Sequence, residues 1–424
     1  MATLLNDYFV SIFTKEEYKI NRSAFSQEMY SELSLQSLIV TKDVVKKAIG
    51  EFKAHKSPGM DGITSTYALK IKEILAKPLR LLFNNSIDKN EIPDDWKMAV
   101  ISPIFKKGDK SNVENYRPVS LTAFYGKVLE KIIKAHIESF LWDTKFINRS
   151  QHGFTKSKSC LSNLLICQNS IVNMIDSGSS VDIFYLDFQK AFDKVPHERL
   201  MDKVRDAGIG GKIADWLENW LSDRVQRVSI NGSCSEWVDV TSGVPQGSIL
   251  GPLLFTIFIN DIDSKVTNDL LKFADDLKMW GRADTIQDRM NLQKDLDMMG
   301  EWSSVNQMPF NVSKCKVMHI GNKNERVEYS ILGQGITITN EEKDLGVYFS
   351  ESFKPNLNCK MASKSASKTL GMIRRNISDR SSEGMLILYK TLVRPTLDYC
   401  IPVWRPYTKK DTMILEKVQK GSQK

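Results

Sequence analysis

The sequence predicts an α+β fold, and three observations predict it. Short apolar runs with strand character alternate with helical patterns in the middle of the chain, and a period of 3.6 dominates both ends. The 424 residues, 42% hydrophobic and 26% charged, suit a globular protein of two or three packed modules. No apolar run approaches the ~20 residues that cross a bilayer, so no membrane partner is expected. The start MATLLNDYFVSIFTKEE lacks a basic leader followed by a long apolar core, and an intracellular location is expected. Six scattered cysteines form no Cys-x-x-Cys pair and the five histidines join them in no ligand spacing, which argues against structural zinc and a disulfide framework. The formal charge of +8 favours polyanionic partners.

In chain order, residues 1–40 read as a linker-like segment. From Thr41, TKDVVKKAIGEF has a capping threonine and apolar residues at helical spacing, and it runs into the turn-rich HKSPGMDGI. Two short helices are expected next, around Tyr67 to Leu75 and from Pro78, a good first helical position, to about Ile87. WKMAVISPIFKK and RPVSLTAF flank the polar GDKSNVENY, so residues 96–124 read as a long hairpin. A helix follows with Val128, Leu129, Ile132, Ile133, Ile137 and Leu141 along one face, and another spans Leu161 to Ile175. VDIFYLDF is a near-continuous apolar strand ending on Asp187. Two helices, from about His197 to Asp206 and Lys212 to Leu221, precede the strand pair RVQRVSING and EWVDVTSG. SILGPLLFTIFIND reads as a buried helix, and LLKFADDLKMW as a hairpin turning at Ala274 to Asp276. A helix from Thr285 to Val305 and strands near Lys316–Ile320 and Leu345–Phe349 complete the middle, and everything beyond Pro355 reads as helix.

Two adjacent aspartates inside an apolar run repel one another and resist leaving water. They mark either an exposed tight turn or a site kept for chemistry. The dipeptide alone does not decide, because Asp94 and Asp95 in EIPDDW look like a plain helix start. If the hairpin packs beside the strand that ends on Asp187, three carboxylates meet, an arrangement untenable at neutral pH without cations. Oxygen ligands with no His or Cys nearby point to Mg²⁺, and two ions ~3.5–4 Å apart would clamp the attacking and leaving oxygens of a phosphoryl transfer. In SGVPQGSILGPLLF, Gly243 and Gly247 bracket Pro245 and Gln246, which presents Gln246 from a stiff turn or simply opens a helix.

YLDFQKAFDKVPHERL, SGVPQGSILGPLLF, FADDLKMW, NVSKCKVMHIG and KDLGVYFS, in this order, resemble the successive palm motifs of reverse transcriptases. Upstream, HKSPGMDGI, YRPVSLTAFYGKVLEKII and QHGFTKSKSC resemble the finger motifs of non-LTR (LINE-type) retrotransposon polyproteins, the jockey group closest. The resemblance runs from about residue 40 to residue 405. It implies a right-hand polymerase: fingers over 41–180 with the first palm elements, a palm with an antiparallel sheet over 181–350, and a helical thumb with a truncated tail over 351–424.

The resemblance also implies roles. Asp187, Asp275 and Asp276 are the catalytic carboxylates, and with the Phe188 carbonyl they would hold two Mg²⁺ ions, for which Mn²⁺ could substitute. Phe192 matches the aromatic gate that excludes a 2′-hydroxyl, though a phenylalanine there also suits plain core packing. Gln246 and Gly247 would pack against the incoming nucleotide, and Arg117 would hold its triphosphate, for which a planar guanidinium is suited. Lys106 and Lys107 would add charge or form a solvated turn, and Lys314 would meet the pyrophosphate or be a surface lysine at a strand start. Lys156 and Lys158 would contact template phosphates, although Thr155 stands where the family more often has a basic residue. Leu345 and Gly346 match the hairpin that grips the primer. Asp193 reads instead as a cap for the helix after it, with Pro196 marking the first turn, and Asp261 as a helix terminus.

The implied activity is RNA-directed DNA polymerisation with RNA template, DNA primer, RNA–DNA hybrid and dNTPs as partners and, by lifestyle, a nuclear location. Met1 falls in what resembles the linker before the polymerase, so an endonuclease is expected from another chain. Lys278 stands on a strand where the family tends to be apolar or small. Two rivals remain: an inactive or domesticated remnant that binds RNA or hybrid, and an RNA-dependent RNA polymerase, against which Phe192 argues.

Overall fold

The computed structural model describes residues 1–16, 34–35, 37–378 and 381–422. Part of the segment read as linker-like, residues 17–33 and 36, lies outside the described residues. The chain divides into two compact units, one of residues Met1–Phe154, Phe188–Ser264 and Trp302–Pro309, the other of Thr155–Asp187, Lys265–Glu301 and Phe310–Lys424.

The first unit is built on a mixed sheet. The expected hairpin is there: Met98–Phe105 pairs antiparallel with Tyr116–Leu121, from Val100 opposite Leu121 to Phe105 opposite Tyr116. The other edge of Met98–Phe105 pairs in parallel with Arg224–Ile230, which in turn carries Val238–Val240 antiparallel. Residues Ala2–Ser11, expected to be linker-like, instead form a helix that buries Leu5 and Phe9 among Ala99, Ile101 and Val228 on this sheet. Burying two such side chains is worth about 1.5–3 kcal/mol each, more than a ten-residue helix gains from propensity alone.

The two short helices expected after residue 64 divide differently. Ser65–Lys70 is capped by the Thr64 side chain, the break falls at Ile71, and Lys72–Lys89 then runs straight through Pro78. Pro78 forfeits the bond its missing N–H would make to the Ile74 carbonyl. Ala76, Leu79, Phe83 and Ile87, all buried, hold the helix together across that gap. Phe124–Asp143 buries the stripe read from sequence, Val128, Leu129, Ile132, Ile133, Ile137 and Leu141, and also Glu130.

The second unit is built on a five-stranded sheet in the order Thr337–Ile338, Lys316–Ile320, Val181–Leu186, Asp276–Arg282, Asp269–Phe273. The apolar run VDIFYL is the central strand, antiparallel to both neighbours, and its residues are buried on both faces of the sheet apart from the half-buried Tyr185, which explains its lack of polar alternation. Helix Cys160–Asp176 covers one face, with Cys167 and Ile171 packed on Val181, Ile183, Leu271, Trp280, Met318 and Ile320. At the start of the central strand the buried Asp182 accepts from Tyr329 Oη (2.7 Å) and Asn324 Nδ2 (2.7 Å) and lies 2.7 Å from His319 Nδ1.

The strand expected near Leu345 is half of a hairpin, Glu341–Asp344 with Val347–Ser350. Beyond Pro355 the described residues are helical, beginning with Asn356–Asn376, whose Ala366, Leu370 and Ile373 pack on Val393, Leu397 and Val418. Among the described residues no helix is long and apolar enough to cross a membrane.

Candidate active site

The carboxylates that the sequence singles out share the second unit. Asp187 follows the central strand, and its backbone carbonyl accepts from Asn311 N at 2.7 Å. The expected hairpin turns at Ala274, which takes a left-handed φ of 58°, and Asp275, with Phe273 opposite Asp276. Antiparallel pairing of Leu186 with Leu277 brings that turn to the Asp187 end of the central strand.

Electrostatics registers the meeting. Asp276 is open at its edge, yet partial burial of its carboxyl, then the charges of Asp275, Asp187 and Asp344, push its pKa up to about 7; Lys278 opposes the shift. A bound cation would favour the charged form of a carboxyl shifted in this way, and the donors are hard oxygens of the kind Mg²⁺ prefers. The donor chemistry therefore fits such an ion. Among the described residues no three His, Cys, Asp or Glu side chains yet enclose a metal-sized position, and Asp187 Oδ2 instead accepts from Lys314 Nζ at 2.8 Å. Lys314 is thus brought to the acids.

The first unit holds the Gln246 loop, fastened at three points. Ser120 N donates to the Gln246 carbonyl at 2.7 Å. The buried Glu130 accepts from Ile249 N (2.7 Å) and Leu250 N (3.3 Å), securing the start of helix Gly251–Phe258. Burial raises the Glu130 pKa, while those two amides, Arg224 and Lys127 draw it back. Asp193 Oδ1 accepts from Gln246 Nε2 at 2.8 Å. Gly247 has φ 124°, and a Cβ there would stand 2.5 Å from the Ser120 carbonyl oxygen, so no side chain fits.

Asp193 is the residue that sequence reading misplaced. It does not cap the helix His197–Asp206, whose N-cap is Pro196; it lies in the short helix Ala191–Lys194 and holds the Gln246 amide. Burial pushes its carboxyl up to about 6, opposed by the Gln246 hydrogen bond and the charges of Lys190, Lys106 and Arg117. Arg117 and Lys106, exposed on the finger-like hairpin, therefore face the same carboxylate as Gln246. Nothing in AFDKVP marks Asp193 for this, because its partner lies 53 residues away. Phe192 stacks on Phe255 at 4.6 Å between centroids and meets Phe154 edge-on at 6.3 Å, so its ring is fixed in place. Phe188 is buried against Trp302, and falls in this unit although Asp187, its neighbour in the chain, falls in the other.

In the second unit Lys156 and Lys158 precede helix Cys160–Asp176, which opens with a Ser159–Ser162 capping box. Leu345 and Gly346 form the turn between Glu341–Asp344 and Val347–Ser350. Lys278 is buried and paired with Asp344, a partner that sequence reading did not supply. Asp261, after helix Gly251–Phe258 as expected of a helix terminus, accepts from Lys203 Nζ (2.7 Å) and Trp302 Nε1 (3.0 Å).

Residues 104–347, more than half of the chain, match the family described as Reverse transcriptase (RNA-dependent DNA polymerase). The chain is 28% identical over 302 residues to the RNA-directed DNA polymerase from mobile element jockey of Drosophila melanogaster, covering 69% of this chain and 33% of that protein. It is 26% identical over 413 residues to the protein of the same description from Drosophila funebris, covering 92% and 45%. Among solved structures, apo telomerase from Candida tropicalis, truncated from its C-terminal domain, aligns at 13% identity over 65% of this chain and 59% of that one, with a TM-score of 0.42. The chain spans between a third and a half of the length of the two jockey proteins. This chain belongs to the reverse transcriptase (RNA-dependent DNA polymerase) family, with polymerases of non-LTR mobile elements among its relatives.

Proposed function

We propose that the chain is an RNA-directed DNA polymerase of a non-LTR retrotransposon, extending a DNA primer on an RNA template by nucleotidyl transfer. The observation that carries this reading is the convergence of Asp187, Asp275 and Asp276, felt as the upward shift of Asp276 to about 7. These three acids would hold Mg²⁺. When bound, two such ions neutralise charge on the attacking and leaving oxygens of the transfer.

The chain's own residues do the rest. Arg117 and Lys106, gathered near Asp193, hold the triphosphate of the incoming dNTP. Gln246 and Gly247, fastened through Ser120 and Asp193, set the floor on which the nucleotide and its template base lie. Phe192, locked by Phe255 and Phe154, leaves no room for a 2′-hydroxyl. Lys314, already hydrogen-bonded to Asp187, gives a proton at the departing pyrophosphate. Lys156 and Lys158 meet the template backbone, and Leu345 and Gly346 the primer.

The test is extension of an oligo(dT)-primed RNA template with dTTP and Mg²⁺ by the wild type and by Asp275→Asn. Extension by the wild type alone is expected. Extension by neither would leave an inactive RNA- or hybrid-binding remnant, equal extension by both would overturn the site, and preference for rNTPs would make the chain an RNA polymerase.

A further inference from the structure

Lys278 lies on strand Asp276–Arg282, two residues beyond Asp276, with Leu271 and Tyr185 as its cross-strand neighbours. Only 3% of it is exposed. Its ammonium is bonded to Asp344 Oδ2, and the two side chains are 4% and 10% exposed. Asp344 ends strand Glu341–Asp344 and faces Val347 across the turn formed by Leu345 and Gly346. The same Asp344 acts on Asp276 and on Tyr185, so it stands close to the catalytic acids as well as to the central strand.

The far side of the turn is pinned too. Tyr399 Oη donates to the Leu345 carbonyl at 2.8 Å, and a Cβ at Gly346, whose φ is 93°, would stand 2.9 Å from the Tyr399 ring. The turn is therefore held between an aromatic clamp and an ion pair. A buried ion pair is a poor choice for stability alone, because the cost of desolvating both charges about cancels their attraction, and apolar residues of equal volume would serve as well. What it supplies is direction: one ammonium and one carboxylate fix the distance between their two backbones, which an apolar contact does not.

We propose that Lys278 and Asp344 are a positioning pair. They set the Leu345–Gly346 turn relative to the strand that carries Asp275 and Asp276, and so bring the 3′ end of the primer to the acids. The proposal rests on the reading of Leu345 and Gly346 as primer-binding. It also accounts for a lysine at a strand position where an apolar residue would be expected.

The test compares wild type, Asp344→Asn, the exchanged pair Lys278→Glu with Asp344→Lys, and the apolar pair Lys278→Met with Asp344→Leu. Each is measured for its dissociation constant with an oligo(dT)-primed RNA duplex, its kcat, its KM for dTTP and its thermal unfolding. Asp344→Asn is expected to weaken duplex binding and lower kcat, each about tenfold, with KM for dTTP within about threefold. The exchanged pair is expected to recover most of that loss. The apolar pair is expected to unfold at the wild-type temperature and still bind the duplex weakly, which separates positioning from stability and carries the test if Asp344→Asn does not fold. Wild-type duplex binding by a folded Asp344→Asn or apolar pair, or no recovery by a folded exchanged pair, overturns the proposal. Failure of the wild type itself to bind the duplex overturns the primer reading and the proposal with it.

Discussion

The two ends of the central strand Val181–Leu186 each carry an aspartate, and the protein treats them in opposite ways. Asp182, fully buried, is met by Tyr329, Asn324 and His319, so its charge is answered from within the fold. At the other end Asp187 joins Asp275 and Asp276, and the carboxyl of Asp276 is faced by three further acids, with Lys278 and Lys314 as the nearby cations. One end is an electrostatic balance and the other an electrostatic demand. The difference separates a structural acid from a functional one: one sits on the strand and the other directly follows it, and the surroundings tell them apart.

The largest effect is expected at the demanding end. Asp275→Asn is expected to cut primer extension by about 10³-fold or more while leaving the unfolding temperature unchanged or higher, since it removes repulsion as well as a ligand. At the balanced end, Asp182→Ala is expected to destabilise by about 3 kcal/mol or more in urea unfolding, because it strands the buried Tyr329 and His319 and takes one acceptor from the half-buried Asn324. A smaller effect belongs to Asp193, whose pKa is raised to about 6 from an unfolded value near 3.9. Its contribution is fully present below the unfolded pKa and lost as pH rises through the folded one. Wild-type stability should therefore fall relative to Asp193→Asn by at most about 3 kcal/mol between roughly pH 4 and pH 6, and the gap should stay constant above. The smallest shift is metal-linked: Mg²⁺ at tenfold its dissociation constant should stabilise the wild type by about 1.4 kcal/mol, and Asp275→Asn should lose that gain without change in the Asp182 network.

Much of this was legible in the sequence where local pattern governs local structure. The continuous apolar run before Asp187, the turn at Ala274 and Asp275, and the stripe from Val128 to Leu141 all read directly, because run length, helical period and turn chemistry are short-range. What could not be read depends on partners far away in the chain. Lys278 looked out of place until Asp344, 66 residues on, was found beside it. Asp193 looked like a cap because a carboxylate before a proline usually is one, and its Gln246 partner is set by the fold. Pro78 by its own preference marks a helix start, but the buried faces of Phe83 and Ile87 outweigh one missing hydrogen bond. The helix Ala2–Ser11 was missed because its amphipathic signal is weak and its apolar partners come from strands far downstream.

That helix has a consequence in time. Leu5 and Phe9 pack against Val228, roughly 220 residues later in the chain (228 − 9). At ~5–20 residues per second of synthesis, the earliest part of this chain waits roughly 10–40 s on the ribosome before the strand it needs exists. Met98–Phe105 waits as well for Arg224–Ile230, its parallel neighbour. While those intervening residues are being made, Leu5, Phe9 and one edge of Met98–Phe105 lack the partners that cover them, and apolar surface stays open to other molecules well before any nucleic acid is met.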